Sequence, residues 1–174
     1  MILRATTATL GLAAAAVMLS GCLAPAPEPT PTSTAVFASE DEAFAAAEET
    51  YRAYVDAANA RREHPDAEPD PQSFLIGSAL ERDVDASREF DELGIRIVGP
   101  SHVTAVERVS ADLDNGDVVL RACYDSTEAR VLNKADEDVT VADRDPTVLV
   151  EVNATSVGGD MLIEDLASVD GGSC

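Results

Sequence analysis

Thr147-Val148-Leu149-Val150-Glu151-Val152-Asn153-Ala154-Thr155-Ser156-Val157 is the stretch whose pattern decides the fold class. Val148, Val150, Val152 and Ala154 fall on one face, and Glu151, Asn153 and Thr155 on the other, which predicts a strand in a sheet covered on one side only. Working outward, residues 161–169 form a second β-type run, and Gly158-Gly159 between the two reads as a two-residue hairpin turn. Upstream, residues 118–132, 103–113 and 95–98 are rich in Val, Ile, Leu and Thr, with Asn115-Gly116 as another two-residue turn. Together these predict a meander of antiparallel strands filling the C-terminal half.

Before Gly94 the period changes. Ser39-Glu40-Asp41-Glu42 matches the Ser-x-x-Glu capping box, in which side chains satisfy the free amides of a helix start. Phe44, Ala47, Tyr51, Tyr54, Val55 and Ala58 then follow on one helical stripe, so residues 40–61 are expected to form an amphipathic helix. A polar, proline-bearing break from His64 to Pro71 separates it from residues 72–93. There Phe74, Leu75, Leu80, Val84, Phe90 and Leu93 are available for burial, Gly77 is expected to divide two short helices, and Gly94 suits a C-cap. Helices first and strands afterwards give an α+β class, with N-terminal helices packed on a curved antiparallel sheet.

The first 38 residues have a different character. Arg4 precedes an apolar run from Ala5 to Leu19, the pattern of an export signal and too short for a permanent transmembrane helix. Leu19-Ser20-Gly21-Cys22 resembles the lipobox of bacterial lipoproteins, which implies cleavage after residue 21 and a diacylglycerol group on Cys22. An ordinary secretory signal or a short buried helix would be the alternative. A cysteine bearing two or three acyl chains is a stable anchor, at roughly 0.8 kcal/mol for each buried methylene. Pro25, Pro27, Pro29 and Pro31 make residues 22–38 a semi-stiff tether reaching up to about 50 Å. Residues 39–174 are then one domain, with the body expected outside the cell membrane.

This order of a capped helix, shorter helices and a strand meander resembles the NTF2-like (cystatin-like α+β cone) fold, and residues 39–174 are similar to small actinobacterial lipoproteins that use it. The segment Val118-Val119-Leu120-Arg121-Ala122-Cys123-Tyr124-Asp125-Ser126 and the terminal Gly171-Gly172-Ser173-Cys174 also carry the resemblance. A single lysine and an abundance of Ala, Val, Arg and Asp agree with a high-GC source. The resemblance implies a cone mouth, and some members of the fold are isomerases or dehydratases with Tyr, Asp or His there. That makes Tyr51, Tyr54 and Asp56 pocket candidates, although the helical stripe reads both tyrosines as core anchors with hydroxyls at a polar rim. NTF2-like domains also pair through their sheets, so a homodimer is an open alternative, as is a separate helix-plus-sheet arrangement.

Of three cysteines Cys22 is assigned to lipid, and in an exported chain Cys123 and Cys174 most simply pair. A buried thiol at Cys123 with a free tail thiol is the alternative. His64 and His102 are the only histidines and have no metal-type spacing; the first reads as a loop residue, the second as a surface or turn residue. Asp112-Leu113-Asp114-Asn115-Gly116-Asp117 lacks the glycine at position 6 and the glutamate at position 12 of an EF-hand, so it reads as a polar turn. Asp136-Glu137-Asp138 reads as a solvated loop. Asn153-Ala154-Thr155 spells a glycosylation sequon, which a bacterial lipoprotein does not use. No metal, catalytic residue or cofactor is assigned beyond the lipid on Cys22.

There are 33 acidic residues against 12 Lys and Arg. Without Arg4, eleven basic residues against 33 acidic leave the mature chain a formal charge of −22. That excludes nucleic acid and electrostatic docking on anionic lipid, which need clustered cations. The preferred function is a non-enzymatic, membrane-anchored envelope module binding another envelope protein or a small apolar ligand. The rivals are an enzyme with a pocket between the first helix and the sheet, and a sensing or delivery lipoprotein serving a transporter or kinase.

Overall fold

A computed structural model describes residues 35–174. The expected signal segment, Cys22 and the tether as far as residue 34 lie outside them. Helix α1 (Glu40–Glu63) begins at the N-cap Ser39, whose hydroxyl accepts from the Glu42 amide. The Glu42 carboxylate in turn accepts from the Ala38 amide at 2.9 Å. The capping box is therefore reciprocal but closes one residue earlier than its usual form, which returns to the N-cap amide itself. Ala43, Phe44, Ala47, Tyr51 and Val55 are buried along one stripe.

Pro71–Phe74 form a single 3-10 turn, and helix α2 (Gly77–Leu93) follows, so Gly77 opens the one α-helix of this segment instead of dividing two short ones. Gly94 closes α2 in the left-handed conformation (φ 65°, ψ 40°) that a side chain would strain. Leu93 is 61% exposed, against the expectation of burial.

Strands β1 (Arg96–Val98), β2 (His102–Asp112), β3 (Asp117–Asp125), β4 (Arg130–Leu132), β5 (Thr147–Val157) and β6 (Asp160–Ser168) are all antiparallel to their neighbours. They form a four-stranded sheet in the order β2-β3-β5-β6 and a separate pair, β1-β4. The run expected from 118 to 132 is thus two strands in two sheets. The break has a local cause: the Asp125 carboxylate accepts from the Thr127 amide and hydroxyl, a side-chain turn that competes with the ladder. Gly158 and Gly159 do form a two-residue turn, both at positive φ. The β2-β3 connection is instead a four-residue loop, Leu113 to Gly116, held by the Asp112 carboxylate accepting from the amides of Asp114 and Asn115.

The cross-strand register lines up Val118 with Ala154 and Ile163, Leu120 with Val152 and Leu166, Ala122 with Val150 and Ser168, and Tyr124 with Val148. That face meets α1, and the core gathers there: Val118, Leu120, Ala122, Val152 and Ile163 are at most 1% exposed. The opposite face carries the cross-strand ion pair Arg121 with Glu151 at 3.2 Å. Helix α2 docks on β6, where Asp165 accepts from Ser78 at 2.5 Å and pairs with Arg82. The fold is α+β, with helices on one face of an antiparallel sheet that stays open and does not close into a cone.

Cys123 and Cys174 form a disulfide with Cα atoms 5.6 Å apart. Because β5 lies between β3 and β6, the bridge does not join adjacent strands. The chain after β6 crosses β5 instead, with the Val169 amide donating to the Leu149 carbonyl. Among the described residues no helix is long and apolar enough to cross a membrane.

Candidate functional site

The stripe that builds the core on α1 continues past it. Tyr51, Tyr54, Val55, Ala58 and Arg62 recur at helical spacing. Beside the C-terminal half of α1 a cavity of about 310 Å³ opens between the helix and the sheet. Its sheet side is Tyr124, Val148, Val150 and Leu166, and exposed Ala167 and Ser168 stand at its edge. The apolar walls come from register: Tyr124, Val148, Val150 and Leu166 all occupy positions on the helix-facing side.

Three tyrosines give the cavity its polar end, and they are the only three in the chain. The rings of Tyr51 and Tyr54 lie 6.3 Å apart in a stacked arrangement. Tyr54 donates to Asp83 Oδ1 at 3.4 Å, and Gln72 donates to the other oxygen of that carboxylate at 3.1 Å. Tyr51 is 2% exposed, yet its hydroxyl has no hydrogen-bond partner among the described residues. The hydroxyl is the part of Tyr51 that stays in contact with open space, and a phenol proton without a protein acceptor is free to donate to a ligand atom or to water.

Arg62 is held by a polar knot. Its guanidinium donates to Asn59 Oδ1 (3.2 Å), the Gly99 carbonyl (3.2 Å), Ser101 Oγ (2.9 Å) and the Tyr124 hydroxyl (3.2 Å). Ser101 is 1% exposed and is fixed from both sides by Asn59, which donates to its carbonyl and accepts from its amide. The knot ties the loop before β2 to the last turns of α1 and aims Arg62 at the cavity. Among the described residues Arg62, like Arg144 and unlike Arg52, Arg61, Arg82, Arg88, Arg96, Arg108, Arg121 and Arg130, has no carboxylate within 4 Å.

Burial pushes the Tyr51 hydroxyl well above the ordinary tyrosine range, helped by Tyr124 and Tyr54. Burial also raises Tyr54, where the Asp83 charge adds to it and Arg62 opposes it. Both phenols stay protonated donors at neutral pH. A folded-state value above the unfolded one of about 10 means that stability is fully present below about pH 10 and falls as pH rises beyond it. The expected loss is on the order of 1.4 kcal/mol per pH unit for each tyrosine. Urea unfolding from about pH 9 to 11 checks this: the double variant Tyr51→Phe, Tyr54→Phe should lose much less than the native sequence.

The sequence-derived candidates divide. Tyr51 and Tyr54 line the cavity, whereas Asp56 is exposed and borders shallow depressions beside Arg52, one with Glu48 and one with His102. His64 is the exposed C-cap of α1, and His102 lies 3.6 Å from Glu128 on the surface. Cys123 is spent in the disulfide, beside Leu149 of the next strand. Cavity residues that the sequence did not single out are Arg62 and Tyr124. The lining among the described residues holds no carboxylate, histidine or thiol, so what the arrangement does is donate hydrogen bonds beside apolar walls. A second, more charged cavity of about 360 Å³ lies against the first and shares Tyr54, Ala58 and Arg62 with it.

No family model and no curated protein matches the chain. The intermembrane space region of the chloroplast protein ARC6 is a solved structure similar to it at 15% identity. The match covers 70% of this chain and 95% of that one, with a TM-score of 0.44.

Proposed function

We propose that the chain is an exported, lipid-anchored envelope protein whose domain holds a small, largely apolar ligand in the cavity between α1 and the sheet. The observation that carries the binding reading is the Tyr51 hydroxyl, which has no hydrogen-bond partner among the described residues and faces a cavity walled by Val55, Val148, Val150 and Leu166. Small-molecule sites combine apolar walls with a few convergent polar groups in this way. The lipobox-like Leu19-Ser20-Gly21-Cys22 supports the anchor, and the Cys123–Cys174 disulfide agrees with an oxidising compartment outside the cytoplasm. An NTF2-like affinity belongs to the same proposal, supported by helices laid over one face of a four-stranded antiparallel sheet.

The cavity lies well away from where the chain enters the domain. Val36 and Phe37 both donate to the Leu113 carbonyl at the β2-β3 loop, and from Ser39 to Tyr54 the helix rises about 22 Å. An anchored domain with this layout would take its ligand at the end remote from its own tether.

Mass measurement of protein purified from membranes tests both parts. The denatured species should begin at a lipid-modified Cys22, and the native species should exceed it by the mass of a bound small molecule. An unmodified Cys22 would remove the anchor. Identical native and denatured masses would count against the ligand.

A further inference from the structure

Several hydrogen-bonding groups around the cavity have capacity that the protein itself leaves unused. The Tyr51 hydroxyl has its proton uncommitted. The Tyr124 hydroxyl accepts from Arg62 and donates to nothing, so its proton is uncommitted as well. Arg62 uses Nη1 on Asn59, Gly99 and Ser101 and one bond from Nη2 on Tyr124, leaving Nε and the second Nη2 hydrogen without a protein acceptor. Asp83, the carboxylate nearest these groups through Tyr54, has both oxygens engaged by Tyr54 and Gln72. The unspent capacity at this end of the cavity is therefore two phenol protons and two guanidinium hydrogens, against hydroxyl oxygens as the only uncharged acceptors on the lining side chains, and it includes one positive charge with no carboxylate within 4 Å among the described residues.

We infer that the ligand is an amphipathic anion of the carboxylate type, its head received by Tyr51, Tyr124 and Arg62 and its apolar body by Val55, Val148, Val150 and Leu166. A carboxylate offers acceptor sites for all three donors, and charge-assisted bonds to it are the stronger kind. An alcohol head can accept from at most two donors and brings no charge to match the guanidinium. An ammonium head would find only hydroxyl oxygens to accept its hydrogens and would stand beside the like charge of Arg62. The far field opposes an anion, since a chain of formal charge −21 repels it at long range, so any preference for one has to come from these few groups at contact distance.

This inference rests on the cavity being a ligand site, and a matched series separates the two claims. All three tyrosines line the cavity and there is no tryptophan, so intrinsic fluorescence reports on this site. Decanoate, decanol and decylammonium, each below its micelle concentration, would be titrated into the native protein, Tyr51→Phe and Arg62→Met. Decanoate should bind the native protein at least about tenfold more tightly than decanol, with decylammonium weaker still, since each factor of ten is only about 1.4 kcal/mol. Arg62→Met should abolish the preference for decanoate over decanol. Tyr51→Phe, which removes one oxygen and keeps the packing, should weaken decanoate several-fold. Equal binding of decanoate and decanol to the native protein would overturn the anion assignment and leave the cavity as a ligand site. Binding of none of the three would overturn both.

Discussion

Reducing the Cys123–Cys174 disulfide lowers the stability of the domain by roughly 4 kcal/mol, read as a lower urea midpoint with the fold retained at zero denaturant. The two cysteines are 51 residues apart, and closing a loop of that size removes conformational freedom mainly from the unfolded chain. The folded state loses something too. After β6 the chain is fastened by few backbone bonds, Val169 to Leu149 and Gly172 to Val169, and residues 170–174 are exposed. Without the bridge this tail has little to keep it across β5, and Leu149 beneath it becomes accessible. Cys174→Ser should therefore match the reduced native protein, and reductant should then do nothing more. A loss under about 1 kcal/mol would mean that the unfolded chain is already compact around the bridge.

Leu120→Ala is expected to cost about 2–5 kcal/mol. Leu120 is fully buried in β3, in register with Val152 and Leu166 on the face that meets α1. Both neighbouring strands hold their backbones in the ladder, so the space left by the removed carbons cannot close by sheet movement. Val119→Ala in the same strand points to the opposite, partly exposed face and should cost under about 1 kcal/mol. The contrast between adjacent residues checks the register itself, because a one-residue slip would exchange the two results.

The parts of the fold written in local pattern were legible before any coordinates. The α1 stripe and its Ser39 cap placed the helix to within two residues of its end, and the period-two run at 147–157 matched β5. The disulfide followed from compartment and cysteine number. What failed depended on competition between local and distant partners. Val118 to Leu132 is β-like throughout, and nothing in its hydrophobicity shows that Asp125 and Thr127 would end one strand, or that Arg130–Leu132 would pair with a strand more than thirty residues earlier. Leu93 is apolar and at the right spacing, yet it is exposed.

The site was half legible for the same reason. Tyr51 and Tyr54 lay on a stripe the sequence displays, while Asp56, chosen for its chemistry beside them, lies on the wrong side of the same helix. Arg62 sits four residues after Ala58 on that stripe, so a cation continuing an apolar face in an acidic chain was the available signal. The alternation Val118, Leu120, Ala122, Tyr124 could likewise have put Tyr124 on the inner face. That Tyr124 meets Arg62 depends on the packing of α1 against β3, which no local pattern states.

The central claim is that the cavity between α1 and the sheet is where the domain meets its ligand. With the tyrosine rings labelled with ¹³C, the protein gives signals from Tyr51, Tyr54 and Tyr124 alone, and all three line that cavity. Spectra recorded with and without a small-molecule extract of the cells that make the protein should show these signals moving together and saturating, with Tyr51 moving most. Tyrosine signals that stay unmoved up to the highest extract concentration would contradict it.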